Sequence, residues 1–251
     1  MGRVDTLKTA VVINPRAAAG RAGRQWPRVE ARLRREIGDW RALHTERPGH
    51  ATELVRQALK DGFERIVSVG GDGTHHEVLN GFFEDGAPIN PEALMAVLPI
   101  GTGSDLGKSL RLPRGVDAVP IIAGGRVIRS DVGRVTYRRH DGETASCYFI
   151  NVADFGAGGA VAEKVNRSSK EFGGFSSFFL GVMQTLWTYR APQLEIDIDG
   201  ERSVQRSLGV IVANAEYYGG GIHIAKRARL DDGVFDVFVL ELFFLEAFVL
   251  V

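Results

Sequence analysis

The residues best suited to chemistry are the run Gly70-Gly71-Asp72-Gly73-Thr74. Glycines let a backbone turn tightly and present N–H groups to a phosphate with no side chain in the way. A carboxylate within such a loop, here Asp72, can hold Mg²⁺ directly or through water, because Mg²⁺ keeps several waters and shares its shell with phosphates. The run directly follows the apolar stretch Ile66–Val69 and precedes Val78, Leu79, Phe82 and Phe83 at helical spacing. A helix starting there adds partial positive charge behind the loop. A plain strand-to-helix turn also favours Gly and Asp, but five specified residues at a strand end make that the poorer account. A second loop, Leu98–Asp105, offers Gly101, Thr102 and Gly103 for phosphate approach and Asp105 as another metal–water ligand.

Other motifs fail on single residues. The dinucleotide fingerprint would need Gly at position 106, which is Leu106, and the P-loop would need Gly at 102, which is Thr102. His75-His76-Glu77 lacks the second His that a zincin helix requires. Cys147 lies within a strand-like run, where a small buried thiol is the expected role.

Positioning these loops requires strands that end in glycine. Ala10–Asn14, Ile66–Val69 and Leu94–Leu98 are short continuous apolar runs, the pattern of strands covered on both faces. Between them, Trp26, Val29, Leu33 and Ile37 recur at helical spacing. A second helix after Thr52 presents Leu54, Val55, Ala58 and Leu59, with Gly62 where a C′ glycine belongs. Strand–helix–strand order with short links predicts a parallel sheet with helices on both faces. From about Arg134 the texture changes to strand-like runs (Val135–Tyr137, Ser146–Val152, Leu194–Ile198, Leu208–Ala213, Val234–Leu240) separated by turns such as Asp141-Gly142 and Asp199-Gly200. The expected fold is therefore an α/β N-terminal domain with a parallel sheet, residues 1–133, and a mainly antiparallel β second domain, residues 134–251. The amphipathic stretch Phe172–Tyr189 reads more as core than as a lipid-contacting lid.

Composition narrows the class. With 31 Lys+Arg against 31 Asp+Glu the formal net charge is zero, and no basic block exists to bind a polyanion, so nucleic acid is not an expected partner. The single cysteine cannot form an intrachain disulfide, and residues 1–10 show no apolar signal segment, so the cytoplasm is the expected compartment. The apolar end, Val234–Val251, contains Asp236, Glu241 and Glu246; a central Asp costs about 2.5 kcal/mol or more on insertion scales, so this reads as a core strand and the start of a helix. Ending on Phe248-Val-Leu-Val without a cap, the chain reads as one cut short.

These residues resemble the diacylglycerol kinase-like lipid kinases, the soluble bacterial branch in particular. Gly70–Thr74 with Glu77 and Asn80-Gly81 is similar to that family's nucleotide loop. Asn14-Pro15-Arg16 with Gly20-Arg21 is similar to its first nucleotide-binding turn, and Thr45 falls where it has an ATP-contacting Thr. Pro99–Asp105 resembles its second glycine loop, with Ser104 in place of the usual Asn. Asp131 matches an acidic position of the catalytic Mg²⁺ network. Asn151, Phe155-Gly156, Asn214, Tyr218–Gly221, Asp232-Gly233 and Asp236 look like second-domain landmarks.

The resemblance implies transfer of the ATP γ-phosphoryl to a hydroxyl of diacylglycerol or a related lipid. Asn14, Pro15, Arg16, Thr45, Gly71–Thr74, Glu77, Gly101 and Thr102 would bind ATP. Asp72, Asp105 and Asp131 would hold Mg²⁺ through waters, with Asp72 catalytic. Asp232, with backbone carbonyls from Arg229 and Val234, would hold a structural Mg²⁺. The family's general base is expected beyond Val251, and a cleft walled by Phe172–Trp187 would take the acyl chains. A lipid substrate, peripheral membrane contact and a homodimer that hides Phe243–Val251 are the implied partners. Two rivals stand beside this reading. An NAD kinase would place an Asn-Asp/Glu pair after the glycine loop, whereas Asn80 is followed by Gly81; a non-catalytic module would bind nucleotide without product.

Overall fold

The computed structural model describes residues 7–160 and 189–241. Strand β1 (Thr9–Ile13) is wholly buried because it lies inside a sheet with both faces covered. Its alternate residues serve opposite faces. Val11 and Ile13 join Val67, Val69 and Leu98 against Ala22, Val29 and Leu33 of helix α1 (Arg21–Ile37). Beyond β2 (Trp40–His44), helix α2 (His50–Lys60) covers the other face, where Ala10, Val12 and Ile66 meet Val55, Ala58 and Leu59. Gly62, at φ 80°, ends α2 as a left-handed residue should.

Strand β3 (Arg65–Gly70) leads into helix α3 (Asp72–Gly81), whose Val78 packs on the α2 side. A short hairpin, β4 (Phe83–Glu84) with β5 (Ala87–Pro88), leads to β6 (Leu94–Pro99). All pairings in this sheet are parallel, in the order β2-β1-β3-β6. The chain passes from β1 to β2 on one side and returns to β3 on the other. The C-terminal ends of β1 and β3 thus flank the point where strand order reverses, the place where open α/β sheets bind ligands. Two short helices follow, α4 (Asp105–Ser109) and α5 (Val119–Ala123).

Next come β7 (Gly133–Arg138) and β8 (Thr144–Phe149), an antiparallel hairpin turning at Asp141-Gly142. They are followed by β9 (Val152–Gly156), β10 (Gln193–Ile198), β11 (Glu201–Arg206) and β12 (Gly209–Ala213). The small pair β13 (Tyr217–Tyr218) and β14 (Ile222–His223) precedes β15 (Asp236–Leu240). The expected antiparallel region is present: β15-β12-β9 form one sheet and β10-β11 a hairpin. The β10-β11 turn is Asp199-Gly200, both at positive φ (52° and 89°), as a tight two-residue hairpin turn requires.

The chain divides into two compact units, Met1–Asn151 with Asn214–Val234, and Val152–Ala213 with Phe235–Val251. The β7-β8 hairpin falls in the first of these units, where it is tied to α3. Asn80 on α3 donates to Tyr148 O at 2.9 Å and accepts from Tyr148 N at 2.8 Å, and the Phe83 and Tyr148 rings stack with centroids 3.8 Å apart. Among the described residues, no helix is long and apolar enough to cross a membrane. The aromatic stretch expected over residues 172–187 and the apolar end at 243–251 lie outside the described residues.

Candidate active site

The two glycine loops meet at the ends of β3 and β6. Gly70 O accepts from both Ile100 N (2.7 Å) and Gly101 N (3.0 Å). A Cβ on Gly101 would stand 2.5 Å from Gly71 Cα, and one on Gly70 would stand 2.5 Å from Thr74 Oγ1. Backbone passes against backbone at Gly101 and against the Thr74 side chain at Gly70, so both glycine types are dictated by space.

Asn14, at the end of β1, closes the third side. Its Nδ2 donates to Thr74 Oγ1 at 3.0 Å, its Oδ1 accepts from Arg16 N at 3.0 Å, and its own N–H donates to Val69 O. Thr45 is buried beside this turn, its N–H donating to Ile13 O at 2.9 Å. The loop from Asn14 to α1 contains Ala18, Ala19 and Gly20 in succession at φ 53°, 54° and 79°. Side-chain-bearing residues in that region are strained, and strain of this kind clusters at ligand-binding loops.

Asp72 opens α3, where its charge is favoured by the helix N-terminus. Its Oδ1 accepts from Leu106 N at 3.1 Å. Asp105, only 5% exposed, accepts from Gly220 N at 2.7 Å through Oδ2 and from Lys108 Nζ at 3.0 Å through Oδ1. Between these carboxylates sits Gly103: a Cβ added there would lie 3.2 Å from Asp72 Oδ2 and 3.6 Å from Asp105 Oδ2. A side chain at position 103 would crowd both acids and Gly220 Cα, so glycine there lets the two carboxylates face the same loop. Two carboxylates so placed suit a hydrated Mg²⁺ shared with phosphates.

Asp131 is held elsewhere, accepting from Gly233 N at 2.7 Å, while Asn214, fully buried, donates to Asp131 O and Ile150 O. Among the described residues no three His, Cys, Asp or Glu side chains stand within reach of one metal ion. Arg229, Asp232 and Val234 share one exposed turn in which Asp232 Oδ1 accepts from Val234 N at 3.3 Å. Glu77 turns away from the loops: its Oε2 accepts from Ala51 N at 3.3 Å, and its carbonyl accepts from Thr52 Oγ1, so it caps α2.

Arg114 was not singled out in the sequence, and the contacts of Arg21, Ser104 and His75 were not visible there. Arg21 Nη2 donates to Ile100 O and Gly101 O, both at 3.1 Å, pinning the second glycine loop to the start of α1. Arg114 Nη2 does the same for Thr102 O and Gly103 O at 3.3 Å. Ser104 sits at φ 52° with Oγ donating to Gly101 O, which explains why Asn, tolerant of that conformation, is usual at this position in the family it resembles. His75 is buried behind Asp72, its Nδ1 2.7 Å from Ser68 Oγ and its Nε2 without a hydrogen-bond partner. Burial pushes its pKa down to about 4, opposed by the Asp72 charge. Its position among glycine-loop residues hid it, since neighbouring His76 carries the same letter and is less buried.

Residues 8–135 match the family described as the diacylglycerol kinase catalytic domain. The chain belongs to that family. Residues 151–249 match a second description, the YegS C-terminal NAD kinase beta sandwich-like domain. A diacylglycerol kinase of Staphylococcus carnosus (strain TM300) is 29% identical over 238 residues, spanning 93% of this chain and 72% of that one. A diacylglycerol kinase of Staphylococcus saprophyticus is 27% identical over 235 residues, spanning 93% and 73%. A crystal structure of a diacylglycerol kinase from Bacillus anthracis str. Sterne superposes with a TM-score of 0.71 at 26% identity, covering 96% of this chain and 76% of that one. Membership of the diacylglycerol kinase catalytic-domain family supports a phosphotransferase with ATP as the phosphoryl donor.

Proposed function

We propose that this member of the diacylglycerol kinase catalytic-domain family transfers the γ-phosphoryl of ATP to a hydroxyl of diacylglycerol or a related lipid, at a lipid surface that it contacts peripherally. The observation that carries the reading is the meeting of the two glycine loops beside Asp72 and Asp105, with Gly103 keeping side-chain bulk away from both carboxylates. Phosphoryl transfer needs positioning and charge neutralisation more than covalent chemistry. Backbone N–H groups of Gly71–Thr74 and Thr102 would cradle phosphate oxygens, the expected Gly101 N–H being taken by Gly70 O, and Asn14 ties the Thr74 hydroxyl to the end of β1. Asp72 and Asp105 would hold Mg²⁺ through waters, whereas Asp131, expected to join them, is held apart by Gly233 N. That ion supplies neutralisation of phosphate charge. Lys108, bonded to Asp105 and about 5.8 Å from the Tyr217 ring centroid, offers a further cation beside the acids.

The NAD kinase reading asks Asn80 to bind the adenosine of the acceptor. Its Nδ2 and Oδ1 are already engaged with His76 O and the Tyr148 backbone, which disfavours that role. The test is labelled-phosphate transfer from ATP to a lipid panel and to NAD, with Asp72→Asn in parallel. Lipid product lost in Asp72→Asn, whose fold is retained, is the expected result. Phosphorylated NAD, nucleotide binding with no product, or near-normal turnover in Asp72→Asn would each overturn it.

A further inference from the structure

Helix α1 has no acidic residue in its first turn and no side-chain cap, and its first two turns carry Arg21, Arg24 and Arg28. Cations at a helix N-terminus oppose the helix dipole, so this arrangement costs stability on its own. Arg21 and Arg28, with Gln25 between them, line a cleft of about 300 Å³. Ile100, Arg114 and Asp117 also line it. Among the described residues none of Arg21, Arg28 and Arg114 is ion-paired, and Asp117 is the one carboxylate lining the cleft. Arg21 and Arg114 each use one Nη2 on glycine-loop carbonyls, and a guanidinium has five N–H donors, so each fork retains donors for another acceptor.

We propose that this cleft binds a phosphate dianion carried by a small soluble molecule, apart from the phosphates cradled by the glycine loops. Three guanidiniums against one carboxylate leave an excess of two positive charges, matching the charge of a phosphate monoester. Planar guanidinium forks suit phosphate oxygens better than any other common anion-binding side chain. The volume lies at the small end of ligand pockets, which admits a phosphate on a short carbon skeleton and excludes acyl chains. An anion seated there neutralises charge that the α1 dipole otherwise disfavours.

Titration calorimetry with inorganic phosphate and with glycerol 3-phosphate, on the full chain saturated with ADP, tests the proposal. Saturation keeps the glycine loops occupied. One phosphate per chain is expected, weakened by added salt and weakened about tenfold or more in Arg28→Glu. Arg28 touches neither glycine loop, so ADP affinity stays unchanged in that variant. Failure of both probes to bind overturns the proposal, and so does binding that Arg28→Glu leaves intact, since that phosphate would sit beside ADP. Sedimentation with phosphatidic acid vesicles that depends on Arg28, without uptake of the soluble probes, would assign the cleft to a lipid headgroup and likewise overturn it.

Discussion

Gly71 and Gly101 cross with so little room that a methyl group on Gly101 would come within 2.5 Å of Gly71 Cα. The contact fixes the spacing of the two loops proposed to hold phosphate. Gly101→Ala should therefore push the loops apart and abolish nucleotide binding, and overpacking of this kind costs about 1–3 kcal/mol of stability. Calorimetry with ADP and a denaturant melt measure both. Unchanged ADP affinity in Gly101→Ala would mean that the loop crossing does not shape the nucleotide site.

His75 should make stability depend on pH. The buried imidazole is held neutral, with a pKa of about 4 against 6.5 in the unfolded chain. Between those values the unfolded chain binds a proton that the folded one does not, so stability falls as pH drops from about 6.5 toward 4. The full loss is about 3 kcal/mol. His75→Leu should flatten most of this slope in melts between pH 7 and 4.5. An identical slope in both proteins would show that His75 is not the group responsible.

Ala18 and Ala19 hold left-handed conformations that cost an L-residue about 1–2 kcal/mol each. Replacing either with glycine should raise the denaturation midpoint, offset in part by the greater freedom of glycine when unfolded. The expected net gain is about 1 kcal/mol. A lowered midpoint for both variants would mean that the methyl groups stabilise more than the backbone strain costs.

Asn80 is the bridge between α3 and the β7-β8 hairpin. Asn80→Ala removes hydrogen bonds to both backbone groups of Tyr148 and should cost about 1–3 kcal/mol. Hydrogen exchange at β8 amides should quicken more than at β1 amides. Equal quickening throughout would place the effect on global unfolding alone.

The parallel sheet was legible because β1, β3 and β6 are continuous apolar runs and the latter two lead into glycine loops. Strand β2 was not: Trp40–His44 is an edge strand with exposed Arg41 and Ala42, so it lacks the continuous apolar signal. Strand β11, Glu201–Arg206, is nearly all exposed and reads as a polar linker until β10 pairs with it. At the site, the glycine loops and Asp72 were visible as a local motif, since spacing along the chain encodes them. The Gly220–Asp105 and Gly233–Asp131 bonds were not, because they join residues 115 and 102 positions apart. Glu77 was legible as a nearby acid, yet only three-dimensional packing reveals that it serves the N-terminus of α2.

Those long spans govern how the protein is made. The unit that carries Asp72 needs Asn214–Val234, and Val152–Ala213 is translated before that segment emerges. At roughly 5–20 residues per second, about 5–20 s separate synthesis of Asp131 from synthesis of Gly233. During that interval the nascent chain holds all four strands of the parallel sheet, with the partners of Asp105 and Asp131 still unmade. Co-translational folding of this unit is thus a two-stage event, with an early sheet and a late closure that completes the site.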